Sequence, residues 1–151
     1  MAKTRLALIQ MKMSSEKKKN ISNAIAKIYK AKSKGANIIC LPELFLTKYF
    51  CQSEKHSNFN LAEKIPGPTT NIFSLIAKKL KVILLLSLFE KRTSGIYHNT
   101  CVIIDEYGKL KGKYRKMHIP DDPQYYEKFY FTPGDLGFRS FKTSKGNLGT
   151  L

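Results

Sequence analysis

The chain has 151 residues, and its 27 lysine and arginine residues against 11 aspartate and glutamate residues give a formal net charge of +16. This length corresponds to one domain or part of one, and the 42% hydrophobic content suits a packed core and argues against a disordered chain. The longest apolar run, residues 82–86, is far shorter than the roughly 20 apolar residues of a membrane-spanning helix.

The first part of the chain predicts a parallel strand–helix–strand unit. Residues 6–9 form a short apolar run that is typical of a buried strand. Apolar side chains then recur at helical spacing until Gly35 ends the pattern. Residues 37–41 predict a second buried strand, which Pro42 stops, and this order implies a right-handed parallel crossover.

Two helices are expected, and each has candidate capping residues. Ser14 or Ser15 is positioned to cap the first helix, and Thr69 or Thr70 the second. The second helix is expected to bury one face, formed by Ile72, Leu75, Ile76 and Leu80.

The rest of the chain predicts strands and one long irregular stretch. Strands are expected at residues 82–89, 100–104, 110–114, 138–141 and 148–151. Arg115 to Gly137 form the irregular stretch, and loops longer than about 12–15 residues in compact domains are usually functional.

The positive charge raises nucleic acid as a partner, but its distribution argues against one. Four of the basic residues are arginines and the other 23 are lysines, spread along the whole chain. The densest cluster, residues 17–19, lies at the start of a helical pattern, where a solvated face is the simpler interpretation. We therefore expect neither a nucleic-acid nor a membrane partner, and keep lysine-driven polyanion binding as the weakest alternative.

Three cysteines, at positions 40, 51 and 101, contain no CxxC pair. This argues against a disulfide framework or a zinc site and fits a reducing cytoplasm. The N-terminal apolar stretch is also shorter than the core of a secretion signal, so a cytoplasmic protein is expected.

Four side chains are candidates for a functional site. Glu43 follows a buried strand, at the edge where open α/β sheets place ligand groups. Its apolar neighbours would partly exclude water from the carboxylate, which suits a general base. The alternative, which this segment alone favours, is an exposed carboxylate that begins a loop. Lys116 leaves a strand as one of many lysines able to stabilise an oxyanion, and Glu127 lies among aromatic residues, where it needs a partner such as a lysine. His118 has no partner at metal-ligand spacing, so it is expected to be structural or to support a neighbouring site residue, and not to bind a metal.

Three segments resemble the carbon–nitrogen hydrolase (nitrilase) superfamily. They are Leu41-Pro42-Glu43-Leu44-Phe45, residues 113–123 (KYRKMHIPDDP) and residues 125–135 (YYEKFYFTPGD). The resemblance spans essentially the whole chain, and the last two segments make it specific. Within the superfamily the chain looks most like the branch that hydrolyses N-carbamoylputrescine, which residues 49–52 also support.

The resemblance implies an α/β fold, namely the N-terminal part of a four-layer α-β-β-α sandwich, with a Glu–Lys–Cys catalytic set. Glu43 would be the general base, Lys116 would stabilise the tetrahedral oxyanion, and Glu127 would be a second glutamate that holds Lys116. Tyr49 and His118 would line or support the substrate pocket.

The implied substrate is a small N-carbamoyl amine, with no cofactor and no metal. Asp121 and Asp122 are weaker candidates for holding its cationic end. Full-length members of the family are expected to form homo-oligomers.

The resemblance also places the nucleophilic cysteine just after the strand predicted at residues 148–151, a position that none of Cys40, Cys51 and Cys101 occupies. Cys40 and Cys101 are expected to be small buried hydrophobes. Residues 1–151 are therefore expected to form an incomplete carbon–nitrogen hydrolase domain, inactive alone. The alternatives are a non-catalytic fragment that pairs with a C-terminal half or an intact homologue, and a β-ureidopropionase-like amidase.

Overall fold

The computed structural model describes residues 3–151, so Met1 and Ala2 of the predicted domain lie outside it. The helices and strands, in chain order, are β1 (Leu6–Leu8), α1 (Lys17–Ser33), β2 (Ile38–Cys40), α2 (Pro68–Leu80), β3 (Ile83–Thr93), β4 (Ile96–Ile104), β5 (Leu110–Arg115), β6 (Asp121–Asp122), β7 (Tyr125–Tyr126), α3 (Glu127–Tyr130), β8 (Ser140–Thr143) and β9 (Gly146–Gly149). Two short 3-10 helices, Phe50–Gln52 and His56–Leu61, lie in the loop before α2.

A five-stranded sheet in the order β1-β2-β3-β4-β5 organises the chain. The first three strands are parallel, and β4 and β5 continue the sheet in antiparallel fashion. This confirms the predicted parallel unit and the α/β class. The carboxyl ends of β2 and β5 and the beginning of β4 consequently meet at one edge of the sheet.

The main core lies between one face of this sheet and the two long helices. Its fully buried members include side chains from alternate strand positions and from one stripe of each helix, among them Ala24, Ile28, Ile39, Phe73, Ala77, Leu84, Leu86, Val102 and Ile104. Phe45, from the turn after β2, contacts Phe73 edge-on with ring centroids 5.4 Å apart. The turn after β2 is thus anchored to the core.

Both predicted helix caps are wrong. Glu16 is the residue before α1 and makes no capping bond with its side chain, whereas the Ser14 hydroxyl accepts the N–H of Glu16 at 3.1 Å. Gly67 precedes α2, because Pro68 has the fixed φ that suits a first helical position. Thr70 therefore lies inside the first turn, where its hydroxyl accepts the Gly67 N–H at 2.8 Å.

The predicted buried face of α2 is wrong for two of its four residues, since Ile76 and Leu80 pack against the main core but Ile72 and Leu75 do not. Leu75 is 71% exposed and Ile72 is 36% exposed, whereas Phe73 and Ala77 are fully buried. The large ring of Phe73 fills the space beneath the helix, and burying it turns Leu75 towards solvent.

Strand β1 is exposed, contrary to the prediction of a buried strand. Leu6 and Leu8 are 58% and 75% exposed, and only Ala7 packs against the main core. An edge strand has one strand neighbour, and one face of β1 is covered by α1, so its alternate side chains stay open.

The second face of the sheet is partly covered by a hairpin formed by β8 and β9. Phe141 and Leu148 of this hairpin pack on Ile38, Ile83 and Ile103. The two strands are displaced by two residues from the predicted positions, because the chain turns before Gly146, whose positive φ of 129° suits glycine. Within residues 3–151, no helix has the length and apolar character needed to cross a membrane.

Candidate active site

The structure brings Glu43, Lys116 and Glu127 together, and we call these three residues the carboxylate–lysine cluster. The Nζ atom of Lys116 lies 3.2 Å from Oε1 of Glu43 and 2.9 Å from Oε2 of Glu127. The three residues come from the end of β2, the end of β5 and the start of α3. The sheet edge described above therefore unites residues that are far apart in sequence.

Glu43 presents its carboxylate to solvent. Its side chain is 54% exposed, whereas Leu41, Leu44 and Phe45 are buried. The expectation that these neighbours dry the carboxylate is wrong, because they point into the apolar cores and leave Glu43 on the open side of the turn.

Glu127 is the buried carboxylate of the cluster, with its side chain only 4% exposed. Its Oε1 accepts the hydroxyl of Tyr49 at 2.8 Å, so each of its oxygens has a donor. The adjacent Tyr130 and Phe131 pack in a second apolar cluster with Phe50. The aromatic run thus acts as packing that fixes Glu127, and the lysine partner predicted for this carboxylate is Lys116.

Lys116 is held as a cation. Its burial disfavours the charge, but the hydrogen bond to Glu127 and the charge of Glu43 outweigh that cost and raise the pKa of Lys116 above its ordinary value. Its main chain is fixed too, because its N–H donates to Asn99 at 2.9 Å and its carbonyl accepts from Gly134 at 2.8 Å. A Cβ at position 134 would overlap the Arg115 carbonyl oxygen, so this close approach requires glycine.

Two residues that sequence reasoning missed complete the site. Asn99, on β4, donates from Nδ2 to Oε1 of Glu43 at 2.7 Å, and Ser87, on β3, donates to Oδ1 of Asn99 at 3.2 Å. The signal for Asn99 is its position in the polar run of residues 98–100, inside an otherwise apolar strand.

A buried ion-pair network supports the strand that delivers Lys116. Arg115 donates from Nε and Nη2 to the two oxygens of Glu90 at 2.8 and 2.9 Å. Glu90 is also bonded to Lys113 and Thr100, and Arg115 also reaches Asp135 at 2.8 Å. Burial by itself would raise the pKa of Glu90, but the hydrogen bonds from Arg115, Lys113 and Thr100 lower it to about 2.

This network predicts a loss of stability in acid. The hydrogen bond from Arg115 is the main cause that lowers the pKa of Asp135 to about 2, so both carboxyls have folded-state pKa values below their ordinary values of 3.8 and 4.5. Their stabilisation is therefore complete above about pH 4.5 and is lost as the pH falls towards 2. Urea unfolding followed across this range should show the decline, and Glu90→Gln should flatten it.

The exposed carboxylate of Glu54 offers a matched control for this acid response. Glu54→Gln should leave the pH dependence of the unfolding free energy as in the parent chain. A free energy of unfolding that stays constant between pH 4.5 and 2 in the parent chain would contradict the prediction.

The cysteines differ in their surroundings. Cys40 and Cys101 are half-buried and line a cleft of about 500 Å³, so they are less enclosed than the small buried hydrophobes expected from the sequence. Cys51 is fully buried near the cluster. Burial first and then the charge of Glu127 raise the pKa of the Cys51 thiol to about 12. This thiol is therefore protonated at neutral pH.

That cleft lies beside the cluster on the second face of the sheet. It is lined by two residues of the cluster, Glu43 and Lys116, and by strand residues, among them Asn99, Ser87, Cys40 and Cys101. Within the described residues, no group of three or more His, Cys, Asp or Glu side chains is placed to hold a metal ion.

Three predicted residues lie apart from the cluster. His118, Asp121 and Asp122 are exposed, and among residues 3–151 none of them hydrogen-bonds to the cluster or lines the cleft. The two aspartates form β6, and its partner strand carries Tyr125, whose ring lies 5.9 Å from that of Tyr49. Tyr49, by contrast, touches the cluster directly.

Comparisons with known proteins give one family. The family model described as carbon-nitrogen hydrolase matches residues 5–151. The chain is 42% identical over 149 residues to an N-carbamoylputrescine amidase of Oryza sativa subsp. japonica, covering 98% of this chain and 49% of the relative. It is 36% identical over 150 residues to a citrullinase of Francisella tularensis subsp. tularensis, covering 99% and 52%.

Comparison of the fold with solved structures gives the same family. The chain superposes on the crystal structure of a carbon–nitrogen hydrolase from Helicobacter pylori G27 with a TM-score of 0.90 and 46% identity, covering 95% of this chain and 50% of that one. The chain therefore spans about half the length of the relatives it matches.

Proposed function

The chain belongs to the carbon–nitrogen hydrolase family, and from that premise we propose that it supplies the base and the cation of an amidase site for N-carbamoylputrescine. The reaction yields putrescine, CO2 and ammonia. The observation that carries the proposal is Lys116, held by Glu127 at 2.9 Å and lying 3.2 Å from the exposed Glu43. The 42% identity to an N-carbamoylputrescine amidase supports the choice of substrate.

Glu43 acts as the general base. Its Oε1 accepts from Asn99 and Lys116, and within the described residues its Oε2 makes no hydrogen bond. That oxygen is therefore free to take the proton of an attacking thiol and to return it to the leaving amine.

Lys116 stabilises the oxyanion. A lysine ammonium has three N–H donors, and Glu43 and Glu127 accept two of them. The third donor is available to the substrate oxygen, where negative charge develops in the tetrahedral intermediate. Glu127, whose two oxygens accept from Tyr49 and Lys116, fixes the ammonium.

The nucleophilic thiol belongs to the part of the protein that corresponds to the other half of the relatives. Cys51 lies close enough to the cluster for the charges of Glu127, Glu43 and Lys116 to act on it, but it is fully buried and has a pKa of about 12. A reactive thiol needs the opposite surroundings, namely exposure and a lowered pKa. Residues 1–151 are on this proposal an incomplete hydrolase domain without turnover of their own.

Asp121 and Asp122 favour a substrate with a cationic end. They are exposed on the hairpin that packs beside Tyr49 through Tyr125. N-carbamoyl-β-alanine ends in a carboxylate, which two acidic side chains repel, and the amino-acid end of citrulline carries no net charge, because its ammonium is paired with a carboxylate. The citrullinase among the relatives makes citrulline the substrate to compare first.

A fusion protein tests the proposal. Residues 5–151 would be joined to the remaining half of the Helicobacter pylori hydrolase, since the two proteins superpose at a TM-score of 0.90. Ammonia release from N-carbamoylputrescine is expected from the fusion and not from the 151-residue chain. Faster turnover of citrulline or N-carbamoyl-β-alanine than of N-carbamoylputrescine by the fusion would contradict the proposed substrate.

The isolated chain provides the second arm of this test. Ammonia release by the chain alone that disappears in Cys51→Ala would identify Cys51 as the nucleophile and contradict the assignment above. Release that survives replacement of Glu43 and Lys116 by Ala would contradict the proposed site.

One observation favours a second candidate function, an interaction fragment that pairs with a complementary half or an intact homologue. Leu6 and Leu8 expose apolar surface on the edge strand β1, whose second edge is free for pairing within the described residues. Sedimentation of the chain with and without the remaining half of the Helicobacter pylori hydrolase separates the outcomes. A strictly monomeric chain in both samples would contradict this candidate.

A further inference from the structure

We propose that Asn99 is a positioning residue that sets the geometry between Glu43 and Lys116. The proposal rests on the proposed function for the roles of those two residues. Asn99 is itself buried, with 4% exposure, on the central part of the sheet. It is the one residue of the described chain that hydrogen-bonds to both of them.

The side chain of Asn99 contacts Glu43, and its main chain contacts Lys116. Its Nδ2 donates to Oε1 of Glu43 at 2.7 Å, and its carbonyl accepts the N–H of Lys116 at 2.9 Å. The same Oε1 also accepts from Nζ of Lys116 at 3.2 Å. These three bonds close a ring that fixes where the carboxylate and the ammonium lie relative to each other.

The hydrogen-bond chemistry allows only one orientation of the Asn99 amide. The NH2 group must face Glu43, because a carboxylate can only accept a hydrogen bond. Oδ1 of Asn99 then faces Ser87, whose hydroxyl donates to it at 3.2 Å while accepting the N–H of Leu44 at 3.1 Å. Ser87 therefore holds Asn99 in the orientation in which Asn99 contacts Glu43.

The same network holds the backbone beside the proposed base. Leu44 follows Glu43 directly and has a positive φ of 49°, a conformation that most residues disfavour. Its N–H is bound by Ser87, so the strained turn and the carboxylate it carries share one anchor. An exposed glutamate on a turn would otherwise sample several rotamers, and this anchor selects the one that meets Lys116.

Titration of Lys116 tests the proposal without any need for turnover. The pKa of Lys116 in the 151-residue chain would be followed by the NMR signal of its Cε carbon, with the backbone amide spectrum as the check of folding. Glu43→Gln should lower this pKa, since it removes one of the charges that raise it. Asn99→Leu, similar in volume but without polar atoms, should lower it by at least half as much.

A double variant distinguishes positioning from a general structural effect. If Asn99 acts through Glu43, the variant with both Glu43→Gln and Asn99→Leu should titrate as Glu43→Gln alone. Additive lowering in the double variant, or an unchanged Lys116 pKa in Asn99→Leu, would overturn the proposal.

Ser87 supplies an independent pair of variants in case Asn99→Leu does not fold. Ser87→Ala removes the donor that orients Asn99 and should lower the pKa of Lys116, whereas Ser87→Thr keeps the hydroxyl and should restore the parent value. Equal titration in both variants would overturn the proposal. Because these readouts involve no substrate, an inactive fusion protein with the expected titrations would contradict the proposed function alone.

Discussion

Glu43→Gln in the fusion protein is expected to lower kcat/KM for N-carbamoylputrescine by about 10²–10⁴-fold, the usual contribution of a general base. Glutamine keeps the size of the side chain and an oxygen for Asn99 and Lys116, but it cannot take a proton from a thiol. The measurement is the initial rate of ammonia release over a range of N-carbamoylputrescine concentrations that saturates the parent fusion. A loss of this size assigns the proton transfer to Glu43.

Glu54→Gln is the matched control, because Glu54 is another exposed carboxylate outside the cluster. It should leave kcat/KM within about twofold of the parent, as expected for a substitution remote from the reacting groups. A Glu43→Gln fusion that retains activity within a few-fold of the parent would show that Glu43 does not act as the base.

The cluster residues and the pair of Glu127 with Lys116 could be predicted because the family motifs identify them, but the arrangement of Lys116 between both carboxylates could not. The position of Glu43 after a strand alone favours an exposed loop carboxylate, and Lys116 is one of 23 lysines, so the resemblance of their segments to the family is what singles them out. That Lys116 lies between the two carboxylates depends on β2 and β5 ending at the same edge of the sheet. Which strand ends meet at this edge depends on the parallel pairing of β2 with β3 and the antiparallel pairing of β4 with β5. A local sequence pattern does not show which strands are neighbours in the sheet.

Asn99 and Ser87 escaped prediction for a related reason. Each lies within a strand, where a polar side chain is easily taken as one that faces solvent. Their importance comes from which strands are neighbours, since the register that places Ser87 opposite Cys101 brings Asn99 within reach. Leu6 and Leu75, which the sequence pattern predicts to be buried, are exposed for the same reason, because an apolar residue is buried only if a neighbouring element covers it.

Arg115→Met is expected to destabilise the fold by about 3 kcal/mol, because removing one partner of a buried ion pair leaves a buried charge without full compensation. Glu90 is 2% exposed and receives two of its bonds from Arg115. Lys113 and Thr100 remain as partners, which places the effect at the low end of such losses. Urea unfolding at neutral pH measures it.

Arg92→Met is the control, since Arg92 contacts Asp135 in a pair that is 45% and 42% exposed. Surface pairs of this kind contribute about 0–1 kcal/mol, so this variant should unfold close to the parent.

A double variant separates the charge of Glu90 from the packing of Arg115. If the loss in Arg115→Met comes from the uncompensated carboxylate, adding Glu90→Leu should recover part of the stability, because no buried charge then remains. Lys113 is 25% exposed and can direct its ammonium to water in that variant. A double variant less stable than Arg115→Met would instead show that the pair itself holds β3, β4 and β5 together. The strand that delivers Lys116 would then depend on Glu90 for its position as well as for its stability.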